Sequence, residues 1–276
     1  MAGKAKEIWE SGEAYEQYSG RWSRKVAKEF LAWLHVPPGQ TWGDVGCGAG
    51  ALVDSILAEC NPKAVIAIDR SEGFISEARR RVDDQRVRFE VGDAAFLPWP
   101  SASCDATVCG LVLNFVSDSN SLTREMARVT RPGGRVAAYV WDYSSGMQMM
   151  RHFWDVAVEL NPKDSTLDQA QRFPLCQPEP LKALFRASGL TSISVRSIDI
   201  PTVFRDFDDY WMPFLGRQGA APAYLASLDG EARDRIRDAL KARLVASPHE
   251  SIAMTARAWA VQGTVPPNGV CKTDLS

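Results

Sequence analysis

Short apolar runs alternate along the chain with amphipathic stretches. Thr41–Val45, Ala64–Ile68, Arg86–Val91, Ala106–Gly110 and Arg135–Trp141 read as strands, being largely apolar and too short for buried helices. Between them, Ala51–Ala58, Glu72–Val82 and Ser119–Val129 have helical composition, the last stopped by Arg131-Pro132-Gly133-Gly134. Apolar strands separated by helices predict a mostly parallel sheet covered on both faces, a doubly wound α/β arrangement.

The flanking segments follow other patterns. Ser23–Leu34 has the spacing of an amphipathic helix that ends before Pro37-Pro38. In the second half, Gly146–Leu160 and Pro178–Ser188 read as helices, Thr191–Asp199 and Ser251–Val261 as strands, and Pro201–Pro248 as helical throughout. No linker separates an independent second domain. The expectation is one domain over 1–262, with a helical cover at 1–37, a core at 38–142 and helical cover insertions at 143–190 and 200–250. Residues 263–276 are expected to form a disordered tail.

Composition narrows the function. The 276 residues are 45% apolar and carry a formal charge of -2, so no global positive field exists to hold a nucleic-acid backbone. Glu231–Arg243 alternates acids and bases and reads as a solvated face. The six cysteines, at 47, 60, 104, 109, 176 and 271, form no CxxC pair, which disfavours a disulfide scaffold or a zinc site, and no metal is implied. No apolar run approaches the roughly 20 residues of a membrane span, and the first residues lack a signal-peptide core. A cytoplasmic protein without a membrane or nucleic-acid partner is therefore expected.

The strongest local signal is Trp42-Gly43-Asp44-Val45-Gly46-Cys47-Gly48-Ala49-Gly50. A strand enters a glycine turn that lets a ligand approach the backbone, and the next helix offers its unpaired N–H groups. A nucleoside-triphosphate loop would end in Gly-Lys-Ser/Thr, whereas Gly50 is followed by Ala51-Leu52. A dinucleotide loop stays open, because Gly46, Gly48 and Ala51 fit GxGxxG/A and Asp69 ends the second strand where a ribose-binding acid stands.

Several ordered pieces resemble the class I S-adenosylmethionine-dependent methyltransferases, in particular the small-molecule group related to ubiquinone and menaquinone biosynthesis enzymes. DVGCGAG is similar to their glycine-rich first motif, AIDRSEGFISEAR to the second-strand acid and following helix, and GDAAFLPWP to the segment beside the adenine. CDATVCGLVLNFVSD is similar to the fourth strand, and REMARVTRPGGRVAAYVWD to the helix, turn and fifth strand, so the likeness covers about 38–142. It implies a Rossmann-like, seven-stranded, mostly parallel sheet with the helical insertions over the substrate side. It also implies S-adenosyl-L-methionine as cofactor and a small organic acceptor, with an aromatic or quinone-like metabolite preferred. An NAD-dependent oxidoreductase and a non-catalytic cofactor-binding protein are the alternatives.

Carried over position by position, the resemblance puts Gly46, Cys47, Gly48 and Gly50 along the methionine and ribose of the cofactor, with Asp44 toward the methionine amino group. Asp69, followed by Arg70, would accept the ribose hydroxyls, though Asp69 also suits a cap for the next helix. Asp93 and Ala94 would read the adenine edge, and Phe96, Leu97 and Trp99 are either ligand contacts or core. Gly110, Leu111 and Asn114 would floor the methyl-transfer site, with Asn114 equally suited to a turn or cap. Tyr18 and Arg21 of YEQYSGRWS would close over the cofactor, or else belong to a structural helix. His152 is the general-base candidate, against a plain polar position on a cover helix. Asp142 and Tyr143 follow the fifth strand, at the mouth the family uses for substrate. Met147, Met149, Met150, Phe153, Trp154, Phe204, Phe207, Tyr210, Trp211, Met212 and Phe214 either line an apolar pocket or form the core of the insertions.

Overall fold

The computed structural model describes residues 20–216, 219–245 and 251–267, with the side chain of Arg21 outside the description. Seven strands form one sheet: β1 (Thr41–Val45), β2 (Ala64–Asp69), β3 (Val87–Val91), β4 (Cys104–Gly110), β5 (Thr130–Trp141), β6 (Thr191–Phe204) and β7 (Ile252–Thr264), in the order β3-β2-β1-β4-β5-β7-β6. The β2–β3, β1–β2, β1–β4 and β4–β5 pairs are parallel. β7 runs the other way: Gly133 N–H donates to the Val265 carbonyl and Val265 N–H to that of Gly134, so the start of β5 meets the far end of β7. This is a doubly wound, Rossmann-like, mostly parallel sheet.

The helices are α1 (Arg21–Leu34), α2 (Ala51–Cys60), α3 (Glu72–Arg81), α4 (Ser119–Val129), α5 (Gln148–Leu160), α6 (Gln169–Arg172), α7 (Pro178–Ala187), α8 (Phe207–Trp211), α9 (Ala220–Ser227) and α10 (Gly230–Leu244). α3 and α4 start where side chains replace missing backbone partners: the Ser71 hydroxyl accepts from Phe74 N–H, and the Asp118 carboxylate from Ser121 N–H.

The chain forms two compact units. Among the described residues, a sheet unit takes 23–140, 175–198 and 258–267, and an aromatic unit takes 20–22, 141–174 and the described part of 199–257. α7 buries Leu181, Leu184 and Phe185 and packs against α4 in the sheet unit.

Trp42, Val45, Val65, Ala67, Ile68, Val108 and Ala137 build the centre of the sheet unit, and Phe30 of α1 lies 4.8 Å from the Tyr139 ring. Burying each valine, isoleucine or phenylalanine side chain here contributes about 1.5–3 kcal/mol. In the aromatic unit Phe153 stacks on Phe214 at 4.7 Å, Tyr210 meets Phe204 edge-on at 5.3 Å, and Trp154 lies 5.4 Å from Tyr224. The polar ends of these rings are held: the Tyr210 hydroxyl donates to the Met149 carbonyl and the Trp154 indole N–H to Gln169. α10 buries only Ile236 and Leu240 and ties its Arg243 to Glu159 of α5, the solvated face its charges predicted.

Several boundaries correct the sequence expectations. β5 starts at Thr130, five residues early, because the Arg131–Gly134 turn is itself drawn into the ladder with β7. β6 continues through Pro201 to Phe204, with Ile198, Ile200, Thr202 and Phe204 buried alternately as in a one-faced strand. At the other end, β7 extends to Thr264 and Val265 is buried, so the ordered chain passes the expected tail boundary at 262.

Candidate functional site

The three loop glycines all have left-handed backbone, φ +77° at Gly46, +53° at Gly48 and +87° at Gly50, but their surroundings differ. A Cβ on Gly46 would stand 2.6 Å from Val112 Cγ2, while one on Gly50 would meet Val82, Ala78 and Phe89 at 3.4–3.6 Å. A Cβ on Gly48 would meet nothing within 4 Å. Packing therefore demands a glycine at Gly46, a Cβ at Gly50 would make only ordinary contacts, and the middle glycine faces open space. Gly46 and Cys47 N–H both donate to the Ile68 carbonyl, binding the turn to β2. Gly50 begins α2 with no capping side chain, leaving first-turn amides for a ligand.

Asp69 closes this turn. Its Oδ2 accepts from Gly48 N–H at 3.0 Å and its Oδ1 from Ser71 N–H at 2.8 Å. The cap of α3 is Ser71, so Asp69 is a brace between loop and helix, and each oxygen keeps a further acceptor position suited to one hydroxyl of a vicinal diol. Parallel register sets its neighbours: Asp44 pairs with Ala67 and Val108, and Asp69 and Gly110 follow two residues later on the same face.

Asp44 is 1% exposed and neither carboxylate oxygen has a hydrogen-bond partner among the described residues. Burial, reinforced by the nearby Asp69 charge, pushes its pKa up to about 8. An unpaired buried carboxyl is costly and is the strongest sign that a cationic or hydrogen-bond-donating ligand group belongs beside it. Cys47 is also buried, and burial with the Asp44 and Asp69 charges holds its thiol well above the ordinary range, so it is a neutral wall of the loop.

The segment after β3 is held from below. Arg128 of α4 pairs with Glu125 and donates to the carbonyls of Leu97 and Trp99, while Glu125 accepts from Leu97 N–H at 2.8 Å. Leu97 and Trp99 are buried core, and Trp99 Cζ3 would lie 2.9 Å from a Cβ on Gly43, which explains a glycine inside β1. Asp93 is exposed, its Oδ1 accepting from Ala95 N–H; Ala94 is half-buried beside it, and Phe96 is 78% exposed. Arg70 points to solvent.

Past β4, Leu111 takes φ +61° and donates its N–H to the Tyr139 carbonyl. Gly110 is required here, since a Cβ would stand 2.7 Å from the Tyr139 hydroxyl oxygen. Asn114 caps nothing: Asp118 caps α4, and both Asn114 side-chain atoms are buried without a partner among the described residues. The sheet unit thus gathers Asp44, Asp69, the loop glycines and the turn bearing Asn114 around the ends of β1, β2 and β4. Val112, Tyr139, Glu125 and Arg128 were not singled out from sequence. The register of β4 with β5 could have pointed to Tyr139, which pairs with Gly110, but no local pattern marks the others.

The expected substrate-handling residues lie in the aromatic unit. Asp142 is 1% exposed and fully engaged: Oδ1 accepts from Ser144 N–H, the Ser144 hydroxyl and Ser145 N–H, and Oδ2 from the Ser145 hydroxyl. Tyr143 is buried, 5.4 Å from Phe173. His152 is half-buried on α5, its pKa lowered by burial and by Arg243 and Arg151 against the opposing pull of Asp155. Met147, Met149, Met150, Phe153, Trp154, Phe204, Phe207, Tyr210, Trp211 and Phe214 are all buried, whereas Met212 is 61% exposed. Their mutual ring contacts make them the core of this unit. Tyr18 and the side chain of Arg21 lie outside the described residues.

A glycine-loop α/β unit with this strand order defines the class I methyltransferase fold. Residues 43–138 match the model of a methyltransferase domain. The chain is 34% identical over 122 residues to demethylmenaquinone methyltransferase of Symbiobacterium thermophilum, covering 42% of this chain and 48% of that protein. It is 30% identical over 192 residues to arsenite methyltransferase of Halobacterium salinarum, covering 65% and 46% respectively. The solved structure of Haemonchus contortus phosphoethanolamine N-methyltransferase 2 in complex with S-adenosyl-L-methionine shares the fold, with TM-score 0.57 and 18% identity over 92% of this chain and 56% of that one. The chain spans about half the length of the curated relatives it matches. Among the described residues no helix is long and apolar enough to cross a membrane.

Proposed function

We propose that the protein transfers the methyl group of S-adenosylmethionine to a small organic acceptor, with an aromatic or quinone-like metabolite preferred. The observation that carries this reading is the unpaired, buried Asp44 carboxyl beside a loop glycine that faces open space, inside a methyltransferase domain. When bound, the cofactor supplies an activated methyl group on a sulfonium, so the chain has mainly to hold and align the reactants. Asp44 meets the ammonium of the methionine portion, Gly48 lets it approach the backbone, Asp69 accepts the ribose hydroxyls, and Asp93 with Ala94 reads the adenine. Asn114 offers an unspent donor and acceptor beside the glycine loop.

The quinone preference draws on the relative that acts on demethylmenaquinone. Arsenite is disfavoured, because burial holds the thiols of Cys47, Cys104 and Cys109 in their neutral form, and no cluster of three metal-binding side chains occurs among the described residues. Asp142 is a turn-former in this reading, which leaves His152, kept neutral by burial, as the proton-acceptor candidate for acceptors that must lose a proton.

Mass spectrometry of the undialysed protein, then calorimetric titration with S-adenosylhomocysteine and with NAD, tests the cofactor. Selective binding of S-adenosylhomocysteine is expected, and binding of NAD alone would move hydride transfer to the front. Methyl transfer to a panel of demethylated quinones, catechols and arsenite then sorts the acceptor. Cofactor binding with no transfer to any of them would favour a non-catalytic role.

A further inference from the structure

Asp44 is the last but one residue of β1, with its side chain turned into the sheet unit where water cannot reach either oxygen. The titratable groups that act on it come from three directions: Asp69 at the end of β2, Cys47 in the turn and Cys109 in β4. The first repels a second negative charge and the two thiols are neutral. No lysine, arginine or histidine among the described residues supplies a counter-charge. A carboxylate in such surroundings is destabilised by lost hydration without compensation, so the ligand-free site favours the acid form at neutral pH.

Resting on the cofactor reading above, we propose that cofactor binding is an exchange of cations: the ligand's ammonium enters and the Asp44 proton leaves to solvent. The balance is that of an acid–base step. The Asp44 O–H bond breaks, its electron pair stays on the carboxylate, the proton goes to buffer, and the resulting anion pairs with the ammonium. The nucleoside portion alone, which lacks the amino-acid end, has nothing to exchange.

The consequence is a linkage between affinity and pH. Below the range in which Asp44 ionises in the free protein, each added pH unit tightens the cofactor by about 10-fold, and above it the dependence flattens. The same carboxyl, held as an acid, spares the empty site a buried anion next to Asp69.

The test is calorimetric titration of the full chain with S-adenosylhomocysteine at pH 6.5, in two buffers of different ionisation enthalpy. Release of nearly one proton per ligand is expected, together with roughly 10-fold tighter binding at pH 7 than at pH 6. 5′-Methylthioadenosine, the same nucleoside without the amino-acid end, is expected to bind with no proton release, and Asp44→Asn to bind S-adenosylhomocysteine weakly with a flat pH profile. Equal heats in the two buffers for the unmodified protein would overturn the proposal while leaving the cofactor reading intact. Failure of S-adenosylhomocysteine to bind at any pH would overturn both.

Discussion

Asp44 and Asp142 follow the same design in outline: each is an aspartate at the end of a central strand, and each is 1% exposed. Their partners set them apart. Asp142 accepts four hydrogen bonds from Ser144 and Ser145, and its backbone N–H donates to the Arg257 carbonyl, so the turn after β5 is knotted around it. Asp44 accepts none among the described residues. Burial of an acid is thus ambiguous by itself, and the count of donors around it decides between a structural brace and a place held for a ligand. Position in sequence favoured both as functional residues; both Asp142 oxygens are tied to their turn, and both Asp44 oxygens lack a partner among the described residues.

The largest effect separating the two should come from Asp142→Ala. With its carboxylate removed, two amides and two hydroxyls of Ser144 and Ser145 lose their charged acceptor, and folding stability should fall by about 3 kcal/mol in chemical denaturation, with little change in affinity for S-adenosylhomocysteine. The reverse pattern is expected of Asp44→Asn: affinity for S-adenosylhomocysteine falls about 100-fold, roughly 2.7 kcal/mol, while stability at about pH 4, where both side chains are neutral in the folded chain, is maintained.

The sign of the pH effect sharpens the contrast. Asp44 titrates near 8 in the folded chain and near 4 when unfolded, so the folded state binds the extra proton between those values. Its contribution to ligand-free stability is fully present below about pH 4 and lost as pH rises toward about 8. Subtracting the stability curve of Asp44→Asn from that of the parent should reveal this decline, and a flat difference would contradict it. The smallest effect is expected from Gly48→Ala. It should cost about 1 kcal/mol of stability for its left-handed backbone and weaken the cofactor about 10-fold, whereas Gly46→Ala should cost more stability because Val112 already fills that space.

Much of the sheet unit was readable from local pattern. β1, β2 and β4 are apolar runs bounded by glycine or polar turns, and Ser119–Val129 carries both its start and stop signals, so α4 appears with the bounds expected. What was not readable depends on partners distant in sequence. Pro201 suggested the end of a strand, yet β6 continues because alternate side chains from Ile198 to Phe204 are buried. The glycine loop could be located, but the separate duties of its glycines depend on Val112 and Val82, and the protonation of Asp44 on the shell around it. The bracing of Asp142 was hidden for the same reason: Ser144 and Ser145 are adjacent, but the strand end they stabilise is completed by Arg257, more than a hundred residues away.

The strand order carries a practical lesson for anyone cutting the gene. A fragment limited to the family-matched residues 43–138 would contain part of β1, β2 to β4 and most of β5, but neither β6 nor β7 nor the α1 helix that packs Phe30 against Tyr139 in the full chain. β5, flanked on both sides in the full sheet, would become an open edge with unpaired backbone groups, the kind of surface on which chains pair with one another and precipitate. The stretch most recognisable as a domain is therefore a poor unit for expression.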